Sequence, residues 1–239
     1  MSNLLRLIAG ELNLMVKYKI LPFSLVTAVI WIVLLFFLSE DEASHVVPLL
    51  IYIDVAAMSI LLLGASHHLE KQEGTIRSMM VMPVSPGQIL AAKTVASMVL
   101  SIESAVITSA ALYFIHGVTF NYAALLLFVI VAGATHAAIG FLLSLYSRDF
   151  NSMLGLLVGY MLVFTLPTVL FHFGVIEEKF EWLLMISPSH SASHLITSAV
   201  SSEFSAPKLI AGCIYLIILT AVLFRFAVYP AFKDNAVRG

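Results

Sequence analysis

Six long apolar runs separated by short polar stretches divide the chain, at about residues 21–39, 46–65, 89–115, 120–146, 151–171 and 207–229. Each is close to the roughly 20 apolar residues a helix needs to cross a bilayer. The runs lack the strict alternation of barrel strands, and backbone in lipid must satisfy its hydrogen bonds internally. The predicted fold is therefore all-α: one polytopic domain over residues 1–239 with six transmembrane helices. Pro22, Pro48 and Pro207 fall where the first, second and sixth spans should open, in a turn whose amides are orphaned anyway. The turns over 116–121 and 147–151 are short enough to force antiparallel neighbours.

Ahead of the first run, Leu4, Leu5, Ile8, Leu12, Met15 and Val16 recur every three to four residues, which predicts a helix lying in the membrane interface over 1–19. No A-x-A-like cleavage site follows the first apolar run, so this end reads as retained and not as a secretory leader. The segment 172–206 is too polar to span and too apolar for a free loop. Short helices at the membrane surface are expected there, with Phe180 and Trp182 at headgroup level.

Composition agrees with lipid as the solvent: 61% of side chains are hydrophobic and 11% charged, with a mean hydropathy of +1.02. The net charge of -2 gives no footing for a nucleic-acid partner, and Cys213, the one cysteine, excludes an intrachain disulfide. Charge sets the orientation. Ten cationic residues (Arg6, Lys17, Lys19, Lys71, Arg77, Lys93, Arg148, Arg225, Lys233, Arg238) fall on one side and two, Lys179 and Lys208, on the other. The cation-rich side is expected to be cytoplasmic and to hold both termini, in a bacterial cytoplasmic membrane.

The most informative polar stretch joins the second and third runs over residues 67–86. Gly74-Thr75 is placed to end one helix and cap a short second one, with Ile76, Met79, Met80 and Met82 forming a soft apolar face suited to docking on another protein. Glu70, Glu73-Gly74-Thr75, Pro83, Ser85, Pro86 and Lys93 together resemble the permease subunits of ATP-binding-cassette exporters of the ABC-2 type. The resemblance implies that 67–86 carries a cytoplasmic coupling helix that presses on a separate ATPase subunit, through Glu70, Glu73, Gly74, Thr75, Ile76 and Met79. It implies a second contact at 147–151, around Arg148. It also implies a dimer, with a second copy or a sister permease, and two ATPase subunits that bind the ATP and magnesium. Leu166-Pro167-Thr168 ahead of the apolar outer segment looks most like small drug-export permeases of the fluoroquinolone type; haem- and polysaccharide-export permeases share the architecture. No G-x-x-x-x-G-K-[ST] phosphate loop occurs in the sequence, so no cofactor is expected on this chain, and it is not expected to be an enzyme.

Two carboxylates lie inside apolar runs, Asp54 in the second and Glu103 in the third, where a charge costs roughly 2.5–3.5 kcal/mol on insertion scales. They are candidates for a substrate pathway, attracting a cationic substrate or carrying a proton, with Phe164 and Phe171 as a gate nearer the outside; the plainer alternative is a neutral, hydrogen-bonded carboxyl that holds two helices together. The competing reading is an intramembrane enzyme or scaffold built on Asp54 and Glu103, though no metalloprotease or serine-nucleophile motif accompanies them. His190 and His194 share a helical face, but a single pair with no carboxylate fixed beside it gives no metal site, and none is expected.

Overall fold

The helix boundaries follow from capping chemistry more than from hydropathy. A computed structural model describes residues 3–75, 83–200 and 205–238, the side chains of 235–238 excepted. Helix α1 (Asn3–Lys17) and helix α2 (Ile20–Leu35) meet at a bend of 66°. Lys19 makes the corner with a φ of 59°, a left-handed conformation uncommon outside glycine.

Helix α3 (Glu40–Gln72) opens on a capping box. The Ser39 side chain accepts from the Glu42 amide while the Glu42 carboxylate accepts from the Ser39 amide, and three acidic residues fill the positive first turn. Pro48 consequently lies inside the helix, not at its start as the sequence suggested: the capping box, not the proline, sets the boundary. Helix α4 (Pro86–His116) begins with a second box, Ser85 with Gln88, and stops at Gly117, whose φ of 73° favours glycine. Asn121 caps α5 (Tyr122–Tyr146), and a third box, Asp149 with Ser152, starts α6 (Phe150–Tyr160). The Ser152 amide and hydroxyl hold the exposed Asp149 carboxyl below the usual carboxylate range.

Helix α6 runs through a widened π turn (Met161–Thr165) into α7 (Leu166–His172), the change falling just before Pro167, which has no amide to donate to the preceding turn. A 3-10 turn (Glu178–Phe180), α8 (Glu181–Leu184) and α9 (Pro188–Thr197) follow. The last span is α10 (Ala206–Val222), a second π turn (Leu223–Val228) and α11 (Tyr229–Arg238). Among the described residues there is no strand.

Five of these helical stretches are long and apolar enough to cross a membrane, and a sixth results if the bent pair α1–α2 is one span. The protein is thus all-helical and multi-pass. α3 and α5 form the core: 72% and 67% of their most apolar windows are buried, against 11% for the last span. They approach closely at Gly140, where an added Cβ would lie 2.8 Å from the Ile60 Cα. Gly133 sits against Ser101 and Ser59, so small residues let the helices α3, α4 and α5 approach, as is usual in lipid. The outer faces of α2 and α10 expose Val26, Val29, Ile30, Val33, Ile210, Ile214, Ile217 and Ile218, surface that only hydrocarbon solvates well.

The turns fall into two groups. At the end that holds the termini, the Tyr18 hydroxyl donates to Glu73 at 2.7 Å and His68 meets Ser147 at 2.8 Å. At the distal end, His116 bonds the Leu35 carbonyl at 2.8 Å and the Asn121 amide donates to Ala199 at 2.8 Å.

Candidate functional site

Several polar assemblies interrupt the apolar bundle among the described residues. The first closes the terminal end. Lys93, on α4 and 1% exposed, donates to Glu70 on α3 and, at 3.0 Å, to Glu11 on α1. One ammonium between two buried carboxylates ties three helices together, and Ser66 donates to the same Glu70 carboxylate at 3.2 Å. Glu70 is the last buried residue of α3 before the chain turns out. Gly74, with a φ of 69°, makes that turn, and the Thr75 hydroxyl donates back to the Glu70 carbonyl at 3.0 Å, so Thr75 closes the helix it follows. Glu73 is exposed and accepts from the Tyr18 hydroxyl; burial, then the Glu73 carboxylate, pushes that phenol up to about 12, so it stays a donor. Ile76 and Met79 lie outside the described residues.

His67 and His68, on the last turns of α3, are both buried, at 3% and 4% exposure. The Ser147 hydroxyl gives its proton to the Ser144 carbonyl, so His68 Nε2–H donates to Ser147. That bond brings the 147–149 turn, with exposed Arg148, against the end of α3. Glu70, Glu73, Gly74, Thr75 and Arg148 therefore share one end of the molecule.

The second assembly lies within the bundle. Ser104 on α4 donates to Asp54 on α3, and Ser24 on α2 donates to Glu103 at 3.1 Å. Asp54 is 4% exposed, while Glu103, one residue from Ser104, is half-buried. The two carboxylates are neighbours, each satisfied by a separate hydroxyl.

The third assembly is a chain of hydrogen bonds whose direction can be deduced. His136 Nδ1–H donates to the Ala132 carbonyl at 2.8 Å, so Nε2 must accept, and it does so from the Tyr160 hydroxyl at 3.1 Å. Tyr160 in turn accepts from Ser189 at 3.0 Å, Ser189 from Thr165 at 3.2 Å, and Thr165 from Tyr52 at 3.2 Å. This chain joins α3, the π turn, α9, α6 and α5 and satisfies the buried Ser189 of the Ser-rich helix α9, whose Ser191 hydroxyl donates instead to the Met185 carbonyl at 2.7 Å. Tyr160→Phe is expected to destabilise the protein by about 1–2 kcal/mol, because it strips the partners of both His136 and Ser189. Thermal unfolding in detergent checks this.

Phe164 and Phe171 both face the distal segment. The Phe164 ring lies 5.1 Å from that of Tyr160 and its carbonyl accepts from Ser187 at 3.3 Å; the Phe171 ring stands edge-on to His190 at 4.9 Å. His194, contrary to the expectation of no carboxylate nearby, lies 3.5 Å from Glu181, which is also paired with Lys208. Among the described residues, no group of three or more His, Cys, Asp or Glu side chains is arranged to hold a metal ion.

Residues outside the expected set carry much of this architecture: Glu11, Tyr52, Tyr160, Thr165 and Ser189. The only signal available for Glu11 was its acidity on an otherwise apolar helical face. A family model described as "ABC-2 family transporter protein" matches residues 43–229. No curated protein matches the sequence.

Proposed function

The chain belongs to the ABC-2 family of transporter proteins, and from that premise we propose that it is the membrane permease subunit of an ATP-driven exporter. It works with a separate ATPase subunit and as a dimer, with a second copy or a sister permease. Its cargo is a hydrophobic or amphiphilic molecule, such as a drug, peptide antibiotic or lipid, taken from the cytoplasm or the inner leaflet. The cation-rich terminal end faces the cytoplasm, and α1 lies along that face of the membrane.

The observation that carries the reading is the ion triad beneath the exit of the 76–82 segment. Force delivered to that segment by an ATPase arrives at Gly74, and Glu70 lies one turn back, locked to α1 and α4 through Lys93. The His68–Ser147 bond passes the same displacement to the α5–α6 turn. A displacement at Gly74 thus reaches α1, α3 and α4 through the triad and α5 and α6 through the turn between them. Asp54 and Glu103 line the route inside the bundle, and Phe164 and Phe171 close it near the distal end.

The test is co-expression with a candidate ATPase and purification through a tag on this chain. The ATPase is expected to co-purify and to hydrolyse ATP faster than it does alone. A Glu73→Ala, Gly74→Pro double variant should reduce hydrolysis to the rate of the free ATPase, while Lys179→Ala at the distal end leaves it unchanged. Failure of any ATPase to associate would sink the exporter reading.

A further inference from the structure

A cavity of about 360 Å³ opens at the distal end between α3, α7 and α9, and its walls carry four imidazoles: His45, His172, His190 and His194. His190 is 3% exposed, and neither of its ring nitrogens has a hydrogen-bond partner. A buried donor or acceptor left unpaired costs about 1–3 kcal/mol, so a ring that lines a cavity with both nitrogens unsatisfied is built to meet something that enters. His194 repeats the pattern one turn on. Its Nδ1 faces Glu181 at 3.5 Å, which leaves Nε2 as the lone-pair side, and that atom too is buried without a partner.

We infer that this cavity binds the protonated amine head of a cationic amphiphile. The charges about it favour a cation: Glu178 on the wall and Glu181 beside His194 face one ammonium, Lys208, already paired with Glu181. Burial pushes the His190 imidazole down to about 4 and lowers His194 as well, so near neutral pH both are uncharged and offer lone pairs to an N–H donor. The Phe171 ring, edge-on to His190, adds an apolar wall with a negative face. Free imidazole nitrogens also suit a transition-metal ion, but no three of these ligand-type side chains are arranged to hold one among the described residues. A carboxylate or sulfate head would meet lone pairs and a net negative charge.

That this amine is the head of the exported molecule rests on the exporter reading; that the cavity binds it does not. The experiment therefore uses the purified chain without any ATPase. Three probes of equal chain length, hexylammonium, hexanol and hexanoate, are titrated calorimetrically near neutral pH. Hexylammonium is expected to bind at least about ten-fold more tightly than either of the others, the scale of one charge-assisted hydrogen bond. His190→Phe, which keeps the ring and removes both nitrogens, should weaken it by about ten-fold or more, with elution volume and unfolding temperature reporting that the variant is folded. If that variant does not fold, Thr197→Trp, which fills the cavity from its wall, gives the same decision. Equal binding of hexanol, preference for hexanoate, or undiminished hexylammonium binding in a folded variant would each overturn the proposal. So would tight zinc binding that hexylammonium fails to displace, in favour of a metal site. Failure of any ATPase to associate, with amine binding intact, would remove the exporter reading and leave the cavity assignment standing.

Discussion

Lys93→Met is expected to destabilise the protein by about 3–5 kcal/mol, the cost of removing one partner from a buried ion pair. Methionine fills the space of the lysine stem, so the loss is electrostatic: Glu70 and Glu11, 1% and 6% exposed, would face each other across a site with no cation. The decisive comparison is the triple variant Lys93→Met, Glu70→Gln, Glu11→Gln. Neutral amides can hydrogen-bond to one another where two carboxylates repel, so the triple variant should recover most of the stability that the single one loses. Denaturation in mild detergent, with accumulation in the membrane as a second readout, checks this. A single variant within about 1 kcal/mol of the parent would show that the triad is incidental.

Gly140→Leu comes next in expected effect, at about 3 kcal/mol or more, because it drives a side chain into backbone and not into another side chain. Even a Cβ at 140 would lie 2.8 Å from the Ile60 Cα and 3.2 Å from its carbonyl oxygen. α3 and α5 would have to separate along the most buried seam of the bundle, where the Ser59 carbonyl oxygen also lies only 3.3 Å from that Cβ. Gly155→Ala is the control. A Cβ there meets nothing within 4 Å, and replacing a helical glycine by alanine is expected to leave the protein equal or more stable by about 0.5–1 kcal/mol. Unfolding temperatures of the two variants that moved together would contradict this account of the seam.

The apolar runs were legible in the sequence because lipid imposes length and hydropathy on any segment that crosses it. The boundaries were less so. Ser39-Glu40-Asp41-Glu42 carries the capping-box signal for α3, yet Pro48 seemed the stronger one, since a proline inside a helix ordinarily breaks it. Residue pairs distant in sequence were not legible at all. Glu11 and Lys93 lie 82 residues apart, and Tyr52 and Thr165 lie 113 apart. No local pattern joins them. The polarity of Ser187 to His194 read as surface, and in water it would be; in the folded bundle, hydroxyls on α6 and the π turn partner Ser189, and the carbonyls of Phe164 and Met185 accept from Ser187 and Ser191. Gly133, Ala137 and Gly140 are spaced so that one face of α5 is small, a signature that hydropathy alone does not register.

The hydrogen-bond chain from Tyr52 to His136 ends on an amide carbonyl, and that ending has an electrical consequence. A proton wire must pass a charge on at its far end and then reset, but the Ala132 carbonyl oxygen can neither ionise nor return a proton. With no group beyond that carbonyl to take a proton onward, the line is a dead end for proton transfer and serves to tie its helices together.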